Sequence, residues 1–242
     1  MKSFDKKYFK QIYKAAWESI IHPGKSVKPL PKSESEKYPQ IYVFRHGETF
    51  DNKNRIHSGH RDSKLTETGI KQAEILAGKL KNKDINICVT SHLSRSIDTA
   101  KYALKYHKNI KYEVDDRIIE RDYGKLTGKS KTKLMELYPI KAVFYRRGYD
   151  TKPPEGESLK DVNLRVFPFC EELVKRVKEN NVNIAISCHG NSMRSVRKYF
   201  EKFSILKEIT LENPLGQDYA RYVIKKEASL RSRVQSREKQ SQ

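Results

Sequence analysis

The feature that most constrains this chain is an alternation. Short runs dominated by apolar residues (IYVF 41–44, INICVT 85–90, IKYEV 110–114, VNIAIS 182–187) are separated by longer stretches with apolar residues at helical spacing. A strand apolar on both sides has to be buried on both faces. A chain that alternates such strands with amphipathic helices reads as α/β: a three-layer sandwich with a mostly parallel central sheet and helices on both faces. Residues 66–82 read as a helix with Ile70, Ala73, Ala77 and Leu80 on one stripe. Residues 94–106 read as a helix capped by Ser94, and 131–138 as a short helix stopped by Pro139. Residues 158–181 form a long helix despite Pro168, with Ser158 and Asp161 spaced as a capping box. A helix over 191–203 and an edge-like strand over 219–224 close the pattern.

Three segments follow. Residues 1–38 hold an amphipathic helix and a linker. Phe4, Tyr8, Ile12, Ala15, Ala16 and Ile20 share one side of the helix, which is expected to pack on the domain body. Four prolines among many Lys, Ser and Glu mark residues 22–39 as the linker. Residues 39–225 form the main domain, and 226–242 a basic tail expected to be disordered.

The chain has 242 residues and a formal net charge of +20. Nine lysines face four acids in residues 1–40, and six basic residues face two acids in 225–242, which leaves +11 for the middle. Such a field attracts nucleic acid, acidic membrane surfaces or small phosphorylated substrates. Charge alone does not choose among them, and a basic surface binder on a folded scaffold is one reading. The aromatic–basic interleaving of single-strand binders is missing, so no specific nucleic acid is expected. No apolar run approaches the ~20 residues of a membrane span. Three widely spaced cysteines without a CxxC pair suit a reduced, cytoplasmic setting. Monomer and homodimer both remain open.

Two junctions carry the chemistry. VFRHGETFDN (43–52) and IAISCHGNSM (184–193) each run from apolar strand to His to Gly. In an open α/β sheet, ligands bind beyond the carboxyl ends of the strands. His46 and His189 fall there, and Ser91 and Arg95 follow the carboxyl end of strand 85–90. Gly47 and Gly190 remove side chains where a ligand could approach the backbone. Asn191 and Ser192 open a helix whose amides favour an anion. Arg45 and Arg95 suit bidentate phosphate binding and would repel a metal cation, so no metal is expected. A histidine held in such a cage can attack phosphorus and carry the phosphoryl group. Cys188, one residue before His189 in a strand, should face the other way. His92 and His107 read as surface residues.

RHGET with a late HGNS resembles the histidine phosphatase superfamily. TSHLSRSIDTA (90–100), ERDYGKLTGKSK (120–131), YRRGYDTKPPEGESLKD (145–161) and HGNSMR (189–194) extend the likeness, in order, toward cofactor-dependent phosphoglycerate mutases of the short form. It spans roughly residues 40–215 and implies the phosphoglycerate mutase-like fold. By resemblance, His46 is the phosphorylated nucleophile and His189 stabilises the transferring group. Arg45 and Arg95 bind its equatorial oxygens, and Asn52, Ser58, Gly59, Gly190 and Asn191 complete that pocket. Glu120 is the general acid and base. Arg121, Tyr123, Lys131, Arg146 and Arg147 hold a carboxylate and a second phosphate.

The resemblance implies interconversion of 3-phosphoglycerate and 2-phosphoglycerate, primed by 2,3-bisphosphoglycerate and without metal. The alternative is a phosphatase of small phosphate monoesters using the same nucleophile. Three departures bear on that choice. Asp122 stands where the mutases usually have a His, His60 and Arg61 where they tend to have aromatics, and NPLGQDYARYVI replaces a Thr-Gly-Ile-Pro stretch.

Overall fold

The computed structural model describes residues 6–24, 29–35 and 37–225. Phe4 and the tail over 226–242 lie outside them. The helices and strands, in order, are α1 (Lys6–Ile21), β1 (Gln40–Arg45), α2 (Phe50–Lys53), α3 (Glu67–Leu80), β2 (Ile87–Thr90), α4 (Ser94–Ala103), β3 (Lys111–Val114), α5 (Lys131–Leu137), α6 (Pro139–Arg147), α7 (Leu159–Asn180), β4 (Ile184–Cys188), α8 (Gly190–Glu201), α9 (Ile205–Thr210) and β5 (Tyr219–Val223).

Sheet order is β3-β2-β4-β1-β5. β1 and β2 both pair in parallel with central β4, β3 pairs in parallel with β2, and β5 runs antiparallel along β1. Period-two alternation sorts the strand residues between two cores. Tyr42, Phe44, Cys88 and Ala185 pack with Leu76, Leu80, Ala100 and Ala103 of α3 and α4. Ile41, Val43, Val89, Ile184 and Ile186 pack on the opposite face with α7, α8 and α1. The three-layer α/β arrangement read from the sequence is the one observed.

Register then decides where the site lies. Arg45 is level with Cys188, and Thr90 with Ser187. The next residues, His46, His189 and Ser91, therefore leave the same edge of the sheet side by side. The β1 exit is tightly packed: a Cβ on Gly47 would lie 2.4 Å from the Gly69 carbonyl oxygen, and Gly216, at φ +38, sits against Gly47. Gly47 thus serves backbone packing and not, as its position suggests, ligand approach.

Three short helices escape the sequence pattern: α2, α6 and α9. Pro139 ends α5 but also opens α6, where its missing N–H costs nothing at the first turn. Ser94 is the first residue of α4, not its cap; the cap position is Leu93, which offers no side-chain acceptor. Asp62 supplies the acceptor instead, taking bonds from the Ser94 amide (3.1 Å) and hydroxyl (2.9 Å). α7 passes through Pro168 unbroken. Pro168 and Leu164, four residues earlier, are both exposed, so water can reach the carbonyl left without a donor.

α1 lies across α6 and α9 and buries Ile12, Ala16 and Ile20 in the larger core. Ile12→Ala should therefore destabilise the whole protein by about 2–5 kcal/mol in denaturant unfolding. A change below about 0.5 kcal/mol would mean that α1 contributes nothing to the folded core.

Candidate active site

Beyond the carboxyl edge of β1, β4 and β2 lies a cavity of about 60 Å³. At about 10–15 Å³ per water position, it accommodates roughly four to six water-sized groups. Six basic side chains line it (Arg45, Arg95, Lys131, Arg146, Arg147, Arg194), against two carboxylates, Glu120 and Glu212. His46, Asn52, Ser58, Gly59, Tyr123, Gly190 and Asn191 complete its wall, with Ser19 and Pro23 from the N-terminal segment.

His46 is almost wholly buried. Its Nδ1 lies 2.7 Å from the Gly47 carbonyl oxygen. A carbonyl only accepts, so Nδ1 carries the proton and Nε2 keeps its lone pair. Burial, then His189, Arg95 and Arg45, holds the imidazole pKa well below the ordinary value, so the ring is neutral. A neutral imidazole whose Nε2 has no bond within the described protein is a competent nucleophile toward phosphorus.

The His189 ring centre lies 5.1 Å from that of His46, at 57°. Arg95 Nε donates to His189 Nδ1 at 3.2 Å, which places the proton on Nε2, and Nε2 donates to Ser91 Oγ at 2.8 Å. Burial, then Arg95 and Arg45, keeps this ring neutral as well. His189 is fully buried behind Arg95, outside the cavity wall. Arg95 also donates to the carbonyls of Arg61 and Gly59, each at 2.9 Å. α4, which carries Arg95, is fastened to β4 by reciprocal bonds: Ser96 Oγ to Ser187 O and Ser187 Oγ to Ser96 O. Thr99 accepts from the Gly47 amide and donates to Arg95 O, joining the two sides of the pocket.

Glu120 occupies the helix N-terminus that the sequence assigns to an incoming anion. Its carboxylate accepts from the amides of Arg121 (2.8 Å), Gly190 (3.0 Å) and Asn191 (3.0 Å) and from Asn191 Nδ2 (3.0 Å). Burial alone would raise its pKa, but the Arg121 amide, Arg45, Arg95 and the Asn191 amide pull it to about 2. In this state Glu120 is ionised. A phosphate dianion entering beside it would push its pKa back up and allow it to hold a proton. The segment that carries it is braced from behind. Arg165, paired with Glu157, donates to the Ile119 and Glu120 carbonyls, and His60 Nε2 donates to the Glu120 carbonyl at 2.9 Å. Asp122 is turned away from the cavity, its carboxylate accepting from the Gly124 amide.

Farther along the cavity lie Tyr123, Lys131 and Arg146. The Arg121 guanidinium stacks 4.5 Å from the Tyr123 ring centre. Arg121 donates to the carbonyls of Tyr145 and Arg146 and does not line the cavity, because it lies beneath Tyr123. Burial would raise the Tyr123 pKa, but Arg121, with Arg146 and Lys131 behind it, pulls the phenol to about 7. Burial and Arg146 lower Lys131 to about 8, so it remains largely charged at neutral pH.

Glu212, which the sequence does not single out, is the counter-ion of this basin. It pairs with Arg45 (3.2 Å), Arg147 (3.0 Å) and Arg194 (2.8 Å). Burial opposes its ionisation, but Arg194, Arg147 and Arg45 bring its pKa to about 2. A lone acid in LEN has no pattern to reveal it; Ser19 and Pro23, outside the motif-bearing segments, had none either. Cys188 faces the core on the α7–α8 side. Among the described residues no cluster of His, Cys, Asp or Glu could hold a metal ion. No helix among them is long and apolar enough to cross a membrane.

A parallel-sheet edge presenting two neutral histidines inside a guanidinium cage defines a protein built around phosphoryl groups. The sequence model of the histidine phosphatase superfamily (branch 1) matches residues 41–216, and the chain belongs to that superfamily. It is 33% identical over 205 residues to a 2,3-bisphosphoglycerate-dependent phosphoglycerate mutase of Chlamydia abortus, covering 73% of this chain and 90% of the relative. It is 32% identical over 204 residues to one of Methanococcus vannielii, covering 73% and 87%. Among solved structures it resembles YhfR of Bacillus stearothermophilus (TM-score 0.68, 24% identity, 76% of this chain and 90% of that chain). It also resembles a mycobacterial glucosyl-3-phosphoglycerate phosphatase (TM-score 0.67, 24% identity, 76% and 92%). At these identities the structures speak for the fold.

Both carboxylates have depressed folded-state pKa values. Their stabilisation is complete above about pH 4.5, the ordinary value, and is lost as pH falls toward about 2. Glu212→Gln should destabilise the protein by about 3–5 kcal/mol at neutral pH, since three buried guanidiniums lose their partner. It should also flatten the acid limb of stability below pH 4.5. Denaturant melts across that range in both proteins check the two outcomes.

Proposed function

We propose that this protein is a 2,3-bisphosphoglycerate-dependent phosphoglycerate mutase, with residues 39–225 as its catalytic domain and a cytoplasmic role in glycolysis and gluconeogenesis. One observation carries the reading: the cavity lined by His46, Arg45 and Arg95 is lined also by Lys131, Arg146 and Tyr123, which act electrostatically on one another and form a second cationic pole. A phosphatase needs the first pole and water. A mutase must keep a multiply charged intermediate bound while it reorients. Six cations against two carboxylates suit a bisphosphorylated primer, and the names of the relatives point the same way.

In this reading His46 Nε2 attacks phosphorus as the primer's P–O bond breaks. Arg45, Arg95 and Asn52 take up charge on the equatorial oxygens, and His189, from behind Arg95, stabilises the transferring group. Ser58, Gly59, Gly190 and Asn191 complete that pocket. Glu120, its pKa raised by the bound dianion, gives its proton to the leaving oxygen. A monophosphoglycerate then takes the phosphoryl group from His46 on its free hydroxyl, Glu120 accepting that proton, and the bisphosphate so formed reorients and repeats the first step with its other phosphoryl group. Lys131, Arg146, Arg147 and Tyr123 hold the end of the substrate that does not react. Arg121 acts from below, through the Tyr123 ring. Neither step calls for a metal.

A second reading, a phosphatase of small phosphate monoesters, draws on Glu212. It already neutralises Arg45, Arg147 and Arg194 and so leaves fewer cations for a second anion. Incubation with 3-phosphoglycerate, with and without a catalytic amount of the bisphosphate, separates the two by phosphorus NMR. Primer-dependent formation of 2-phosphoglycerate is expected; orthophosphate without isomer would leave the phosphatase. His46→Ala should reduce either activity on the order of a thousandfold or more. Glu120→Gln should reduce it by about 10²–10⁴, with phosphorylation of His46 slowed in rapid-quench measurements.

A further inference from the structure

α1 lies outside the stretch that matches the superfamily, which begins at residue 41, yet it supplies part of the cavity wall. Its C-terminal half faces the basic cluster. Arg146 Nη2 donates to Ser19 Oγ at 2.7 Å, Arg147 Nη2 to the Ala15 carbonyl at 3.0 Å, and Arg55 Nε to the Ile20 carbonyl at 3.1 Å. α1 has no basic residue in its own last turn. In the last turn the Ile20 carbonyl is met by Arg55, and the negative end of the helix dipole favours the guanidiniums gathered there. Ser19 is held at both ends: it accepts from Arg146 and donates to the Ala16 carbonyl at 2.9 Å. Its hydroxyl thus ties a cavity-lining guanidinium to the helix backbone. Arg146 is nearly buried and its Nε has no partner among the described residues, so Ser19 is its one side-chain restraint in the hydrogen bonds seen.

We propose that the last turn of α1 is part of the substrate site, with Ser19 as a positioning residue that aims Arg146 at the non-reacting anionic group of a phosphorylated acid. This rests on the two-pole reading above and adds a determinant of specificity that the superfamily segment does not contain. Substrates with a second anion depend on the Ser19–Arg146 bond. Esters with only the transferred phosphate do not reach it.

The test compares KM and kcat for 3-phosphoglycerate and for p-nitrophenyl phosphate in the full-length wild type, Ser19→Ala and Ser19→Thr. Ser19→Ala should raise KM for 3-phosphoglycerate about tenfold, the scale of one hydrogen bond to a charged group, with kcat changed less than about threefold. The KM for the nitrophenyl ester should rise less than about threefold, and Ser19→Thr should recover most of the loss. Equal losses on both substrates, or no change on 3-phosphoglycerate, would overturn the assignment. A wild type that hydrolyses the nitrophenyl ester but ignores 3-phosphoglycerate refutes the two-pole reading itself, before any variant is compared. Hydrogen exchange on the wild type gives an independent check that needs no variant. 3-Phosphoglycerate should protect the last turn of α1 more than orthophosphate does; equal protection by both would also overturn the assignment.

Discussion

The structure depends on keeping several buried cations close together without letting them repel one another apart. Arg45, Arg95, Arg146, Arg147 and Arg194 all line one small cavity. Taking a guanidinium out of water costs several kcal/mol unless its donors are met. The fold meets them in three ways. Glu212 neutralises three of the cations, main-chain carbonyls of the loops take Arg95, and the C-terminal half of α1 takes Arg146 and Arg147. Each device comes from a different part of the chain, so the site is a property of the whole fold and not of its motifs.

The same cations set the protonation states. Together with burial they hold both histidines neutral, and together with the Arg121 and Asn191 amides they hold Glu120 ionised; in the proposed reaction a nucleophile is then ready and an acid is not yet loaded. In that reaction an arriving anion raises the pKa of Glu120, which sits on the amides of Gly190 and Asn191 beside His46. Proton supply is thereby coupled to occupancy.

The layer order and the position of the site were legible from the sequence because both follow from strand periodicity and from residues at strand ends. The register of β1 and β2 on β4 did the rest, turning distant His46, His189 and Ser91 into neighbours. What was illegible depends on tertiary contact. Ser94 reads as a cap, yet Asp62 does the capping. Asn191 and Gly190 read as amides open to substrate, yet they hold Glu120. Arg121 reads as a cavity residue, yet it supports Tyr123 from below. Lone residues such as Glu212 and Ser19 carry no local signature; their meaning comes from what the fold brings beside them. α6 was hidden because Pro139 both stops one helix and starts the next.

The bond from His46 Nδ1 to the carbonyl of the next residue has a regiochemical consequence. It spans adjacent residues, so it persists as long as the β1 exit keeps its shape, and that exit is pinned where Gly47 packs against Gly69 and Gly216. In the proposed reaction, of the two possible phosphoramidate isomers at this ring only the one on the distal nitrogen is compatible with that backbone. Reagents that discriminate tele- from pros-linked phosphorus would thus report the integrity of the glycine packing beside the residue they probe.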